Sequence, residues 1–275
     1  MKIILSRKGI DSSFGKVSNL IVNDTDFLMF PIPDIQDKAT YKDIKAYDAI
    51  WEKLYKNPKY YEELSPDKHC HIDPNIQNFL NEPNFLGSLG QVDGAQTQLE
   101  GQDISKDKIK EGIIFIFWGL FSKANENNTE FEFSNHFKNR HVIFGYLEVG
   151  DIIHTNGLTS KARNEYEIKY PWLTSHPHWN NEKYKDRVNN TIYIAKENGY
   201  GLFKFNEKLI LSAPHSCACS NWTVKELANC EFTNYKDLVF NDDGEIIMPS
   251  RGQEFVLDDP KATKWAKSLI KKFKY

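Results

Sequence analysis

Apolar positions along this chain fall into two patterns. Short continuous or alternating runs read as strands at Lys2 to Ser6, Ile113 to Phe121, His141 to Val149, Thr191 to Lys196, Gly201 to Phe205, Leu209 to Leu211, Glu245 to Met248 and Glu254 to Leu257. The two longest are expected to pair, with the polar Lys123 to Asn128 segment between them as a surface excursion. Helical spacing appears twice. Ile44, Tyr47, Trp51, Leu54 and Tyr55 make one stripe over Tyr41 to Lys56, entered through Thr40 and Asp43 at capping-box spacing. Ala262, Trp265, Ala266, Leu269, Ile270 and Phe273 make another, which Asp259 can cap and Pro260 can open.

Between these elements the pattern fails in informative places. Met29 to Asp34 holds two prolines and must be extended. Ser65 to Gln102 has no regular period and is rich in Gly, Pro, Asn, Gln and His, as functional loops are. The pattern predicts an α+β fold over residues 1–275, with a mixed, mostly antiparallel sheet, flanking helices and a C-terminal helix. No internal repeat is visible.

Bulk properties narrow the function classes. With 35 basic and 38 acidic side chains the formal charge is −3, so any contact with nucleic acid must be local. The N-terminal apolar run is too short for a secretion signal and no stretch is long enough to span a bilayer, so a cytoplasmic protein with no membrane partner is expected. Cys70, Cys217, Cys219 and Cys230 do not resemble a disulfide framework and read as reduced thiols or metal ligands.

Several segments carry candidate chemistry. His69, His71 and Asp73 alternate, so an extended chain projects all three to one side. His176-Pro177-His178 repeats that spacing, and His69, His71, His176 and His178 are candidate ligands for one metal. The ligand run His215, Cys217 and Cys219, with Cys230, lacks the paired C-x-x-C knuckles of a convincing zinc site, and buried thiols are the plainer reading. Arg7, Lys8 and Asp11 follow the first strand beside Gly9, where cations and close backbone can hold a phosphate or carboxylate. Arg251, Gln253 and Glu254 form a second glycine-hinged set, with Glu254 as acid, base or ribose-hydroxyl acceptor. Gln91, Gln96 and Gln98 carry amides that can read a base edge. Phe117-Trp118, Trp172, Trp179 and Trp222 can stack a base or fill a core.

Taken in order, nine segments resemble the third nucleotide modification associated domain family: Ser6 to Ser12, Pro31-Ile32-Pro33, His71-Ile72-Asp73-Pro74, Gly90-Gln91, Phe117-Trp118-Gly119, His141 to Leu147, His176-Pro177-His178, Asn190 to Tyr193 and Arg251 to Phe255. The resemblance covers nearly the whole chain. It implies an α+β domain encoded beside DNA-base-modifying and conflict genes of bacteria and phages, with a nucleotide, DNA or other modification and defence proteins as partners. It supplies no cofactor and no mechanism. Gln98 stands where the family pattern is expected to carry a histidine, and the cysteine cluster is not part of that pattern.

The expected function is an enzyme acting on a nucleotide or a base in DNA, glycosyl or ADP-ribosyl transfer being one variant. His71, Asp73 and Glu254 are its catalytic candidates, and Arg7, Lys8, Asp11, Gln91, Arg251 and Gln253 its substrate-binding ones. The alternatives are a non-catalytic reader of modified DNA with a PUA-like pocket, and a structural partner of a modification complex. A reader predicts salt-sensitive binding that survives loss of His71; an enzyme predicts binding retained and turnover lost.

Overall fold

The computed structural model describes residues 1–11, 15–101, 108–185, 187–235, 237–249 and 252–275. The chain runs through Ile3–Arg7 (β1), Asn19–Val22 (β2), Asp26–Leu28 (β3), Ile32–Pro33 (β4), Asp48–Leu54 (α1), Pro58–Glu63 (α2), Cys70–His71 (β5), Ser88–Gln91 (β6) and Asp93–Glu100 (α3). It continues as Ile114–Glu126 (β7), Phe131–Phe133 (β8), Arg140–His154 (β9), Ser160–Lys169 (α4), Pro177–Asn180 (α5) and Thr191–Leu202 (β10). Asn221–Thr223 (β11), Glu245–Ile247 (β12), Glu254–Leu257 (β13) and Pro260–Phe273 (α6) complete it. The fold is α+β.

Among the described residues the main sheet has nine strands, with the path β13-β1-β7-β9-β10-β6, β2 and β8 paired with β7, and β3 paired with β2. Most pairs are antiparallel; β1 and β2 run parallel to β7. Ile3, Ile4 and Leu5 of β1 are fully buried, as an interior strand covered on both faces requires. The sheet curls until its two ends meet. Gln91 Nε2 on β6 donates to Glu254 Oε1 on β13 at 2.6 Å, and α3 lies against β13 beside that contact.

The open edge of β13 is closed by amide side chains in place of a strand. Gln98 Oε1 on α3 accepts the N–H groups of Gln253 and Glu254 at 3.0 Å each, and Asn234 Oδ1 accepts that of Val256 at 2.9 Å. Unpaired edge groups are thereby satisfied. Gln98 thus serves to hold the strand that carries Glu254.

Several expectations from the sequence need correction. The Tyr41 to Lys56 helix is broken into 3-10 turns at Tyr41–Asp43 and Lys45–Tyr47 before α1 begins. Ile44 takes a non-helical ψ of 87°, and the Ala46 N–H leaves the helix to donate to the Phe79 carbonyl at 3.3 Å. The Ser65 to Gln102 stretch contains β6 and α3, both short and polar enough to hide their period. The Lys123 to Asn128 excursion is largely strand, because β7 runs on to Glu126 and pairs with β8. Leu209 to Leu211 is a 3-10 turn and a single bridge at Ile210. The C-terminal helix forms as read, with Asp259 Oδ1 accepting the Lys261 N–H at 2.6 Å.

All six tryptophans are buried, so none of them forms an exposed stacking platform. Trp172, Leu173 and Trp179 pack with Ile153, Ile192 and Ile194 in a second apolar cluster against β9 and β10. That packing fixes the segment bearing His176 and His178.

Candidate functional site

At the junction of the two sheet ends sits a buried polar network. Strand alternation sends Ser6 and Lys8 inward toward β13, where both donate to Glu254 Oε1 at 3.0 Å. Gln91 supplies the third bond to that oxygen, while Glu254 Oε2 is buried without a hydrogen-bond partner. Burial pushes the Glu254 carboxyl upward; the Lys8 ammonium and the Ser6 and Gln91 donors pull it back.

One residue before Gln91, the Gly90 N–H donates to Asp73 Oδ1 at 2.6 Å. This joins the Glu254 cluster to a histidine cluster. Asp73 is fully enclosed, and burial raises its pKa to about 6, against the opposing fields of His71 and Lys8. His176 Nε2 faces Asp73 Oδ1 at 3.9 Å and is buried without a hydrogen bond. The rings of His71 and His178 lie 5.2 Å apart, and Tyr184 stacks on His178 at 4.6 Å with planes 6° apart. Burial holds His176 at a pKa of about 3 and lowers His178 well below its ordinary value, so both stay neutral at pH 7.

Gly90 is what lets these parts meet. A Cβ placed there would lie 2.2 Å from Cδ2 and 2.3 Å from Cγ of the His178 ring. Gly90→Ala is therefore expected to cost about 1–3 kcal/mol by overpacking and to displace His178. Urea denaturation with histidine NMR checks this, and unchanged His178 resonances would show that the ring does not rest on Gly90.

Of the sequence-derived candidates, the structure brings His71, Asp73, His176, His178, Lys8, Gln91 and Glu254 into one network. His69 is not among the candidate metal-ligating groups His71/Asp73/His178 and Asp34/Asp37/His71 of the described residues. Arg7 projects away from Lys8, pairs with Asp11 at 2.5 Å and lies over Trp118 at 5.7 Å. Gln253 meets the network through its backbone, accepting from the Arg7 N–H at 2.8 Å. Arg251 lies outside the described residues. Cys217 is exposed, which corrects its reading as a buried thiol; Cys70 and Cys230 are buried, and no cysteine belongs to either ligand group among the described residues.

Sequence reasoning missed Asp37, Asn190 and Tyr184. Asp37 Oδ2 accepts from His71 Nδ1–H at 2.6 Å and Asn190 Oδ1 from His178 Nδ1–H at 2.7 Å. Asn190 opens one of the nine segments of the resemblance, which was its available signal; Asp37 offered none.

A cavity of about 1040 Å³ opens beside the network, lined in part by Asp37, Ile72, His176, Asn181, Lys183 and Arg187. It touches the histidine side. Of the network only His176 and Asp37 line it; His71, Asp73, His178, Lys8, Gln91 and Glu254 do not.

Buried ionisable groups where the ends of a curled sheet meet, next to a cavity of ligand size, make this the candidate site of an α+β protein. The chain belongs to the nucleotide modification associated domain 3 family, whose model matches residues 2–258. Comparison with curated proteins and with solved structures finds no match. The family indicates a nucleotide-related ligand. No helix among the described residues is long and apolar enough to cross a membrane.

Proposed function

We propose that this protein is an enzyme acting on a nucleotide or on a base in DNA, within a bacterial or phage modification or defence system. One observation carries the reading: two buried carboxylates, Asp73 and Glu254, share the field of one buried cation, Lys8, in a network that meets the cavity at Asp37 and His176. Such groups are costly to bury and are not needed to fill a core. Asp73, with its pKa near 6, can both donate and accept a proton near neutral pH. His71, oriented by Asp37, is its partner in acid–base work. On the cavity wall Arg187, more than half exposed and only 3.8 Å from Asp93, offers charge to phosphate, while Lys183 is held by Asp34 at 2.6 Å.

Nucleotides, NAD and plain or modified DNA are to be screened by thermal shift, and ligands that stabilise the protein assayed for turnover. Asp73→Asn is expected to lower turnover by about 100-fold or more with affinity changed only a few-fold. A wild-type protein that binds DNA in a salt-sensitive way, without turnover and equally well in His71→Ala, overturns the enzyme reading in favour of a reader.

A further inference from the structure

Two imidazoles in the network are locked in the same tautomer by separate oxygen acceptors. His71 Nδ1–H donates to Asp37 Oδ2 at 2.6 Å, and Asp37 Oδ1 is held in turn by Asn181 Nδ2 at 2.5 Å. His178 Nδ1–H donates to Asn190 Oδ1 at 2.7 Å. The Asn190 amide cannot be turned round, because its Nδ2 donates to Thr155 Oγ1 and to the His178 carbonyl at 2.7 and 2.8 Å. With Nδ1 carrying the donated hydrogen, each ring turns Nε2 to the ligand side, and no hydrogen bond among the described residues uses that atom.

Histidines with Nδ1–H tied to a carboxylate or amide oxygen and Nε2 left open have the arrangement that metal-binding imidazoles require. Asp73 supplies the third group. The ligand atoms of His71, Asp73 and His178 lie within 4.8 Å of one another, and small side-chain rotations bring such atoms onto a centre about 2.0–2.2 Å from each. We propose that His71 Nε2, His178 Nε2 and a carboxylate oxygen of Asp73 bind one divalent transition-metal ion. With the ion bound, His71 and Asp73 would serve as its ligands instead of as the acid–base pair, and two imidazoles and one carboxylate leave further coordination positions open for water or substrate.

His176 takes a different part. Its Nδ1 accepts the His178 N–H at 3.2 Å, so the proton sits on Nε2, which is buried, unpartnered and 3.9 Å from Asp73 Oδ1. It is a donor facing the carboxylate, in position to orient it. The alternative group Asp34, Asp37 and His71 has a single imidazole, and Lys183 already occupies Asp34 Oδ2 at 2.6 Å.

The test needs no substrate, so its failure leaves the nucleotide reading standing, and loss of that reading leaves this one. Chelator-treated full-length protein is titrated with Zn²⁺ by calorimetry and with Co²⁺ by visible absorption. One ion per chain is expected, with affinity falling at least about 100-fold in His71→Ala and His178→Ala and about 10–100-fold in Asp37→Asn. His69→Ala and the Cys217→Ser, Cys219→Ser double variant are expected to bind as wild type does. Should His178→Ala fail to fold, Asp37→Asn decides. No binding by the wild type, binding unchanged in both His178→Ala and Asp37→Asn, or binding lost in Asp34→Ala or the cysteine variant and kept in His178→Ala, overturns the proposal.

Discussion

Replacing Lys8 with methionine is expected to lower stability by about 3–5 kcal/mol, the loss typical of removing one partner from a buried ion pair. Lys8 and Glu254 are both buried, and their atoms lie 3.0 Å apart. Without the ammonium, Glu254 must either stay charged in a dry site or take up a proton, and Asp73 loses an opposing charge that holds its pKa down. Either route draws on the folding free energy. Glu254→Gln alone leaves the Lys8 cation without its counter-charge and is also destabilising. The double variant Lys8→Met, Glu254→Gln removes both charges and keeps a side chain able to meet Ser6 and Gln91, so it should recover more than half of the summed single losses. Urea denaturation of the four proteins measures the coupling. A Lys8→Met loss under about 1 kcal/mol would mean that no ionised pair exists there, and the polar network would lose its central charge.

The physical pattern of the chain made some of this legible and hid the rest. Long apolar alternation at β7 and β9 and the capped stripe of α6 arise from burial along one local face, which a sequence displays directly. The polar helix α3 carries no such stripe, because its task is to close an edge through Gln98 and to place Gln96 against the Tyr193 hydroxyl at 2.9 Å. Neighbouring Arg7 and Lys8 looked like one cationic site, yet the strand sends one toward Trp118 and the other toward Glu254. His71 and Asp73 were visible as an alternating set. Their meeting with His178 was not, since it depends on a missing Cβ at Gly90 in a third segment. Asp37 lies 34 residues from His71 and becomes its partner only through folding.

Below neutral pH the protein should lose stability steeply, and His141 accounts for one proton of that slope. His141 is buried beside Trp118 and Trp222, and its Nδ1 accepts the Trp222 Nε1–H at 3.0 Å. Protonation would place a second hydrogen between the two nitrogens and leave a cation in an apolar pocket. Burial foremost, then the Arg7 charge, lower its pKa to about 3, with Asp11 opposing. A histidine lowered in the folded state contributes stability above its ordinary pKa of about 6.5 that drains away as pH falls toward 3. At about 1.36 kcal/mol per pKa unit this amounts to roughly 4–5 kcal/mol over the whole window. His176 and His178 act in the same direction. Asp73 and Glu254 oppose them, since a carboxyl raised in the folded state, Asp73 to about 6, favours that state at low pH and loses the advantage as pH climbs from the ordinary carboxylate range through the folded pKa. Three histidines outweigh the two carboxyls. Glutamine at position 141 can still accept the Trp222 N–H but cannot titrate. His141→Gln is therefore expected to flatten the dependence of unfolding free energy on pH by about 1.4 kcal/mol per unit between roughly pH 4 and 6. Urea titrations across that range measure the two slopes. Equal slopes would show that His141 is protonated in the folded state, and that the Trp222 bond does not hold its tautomer.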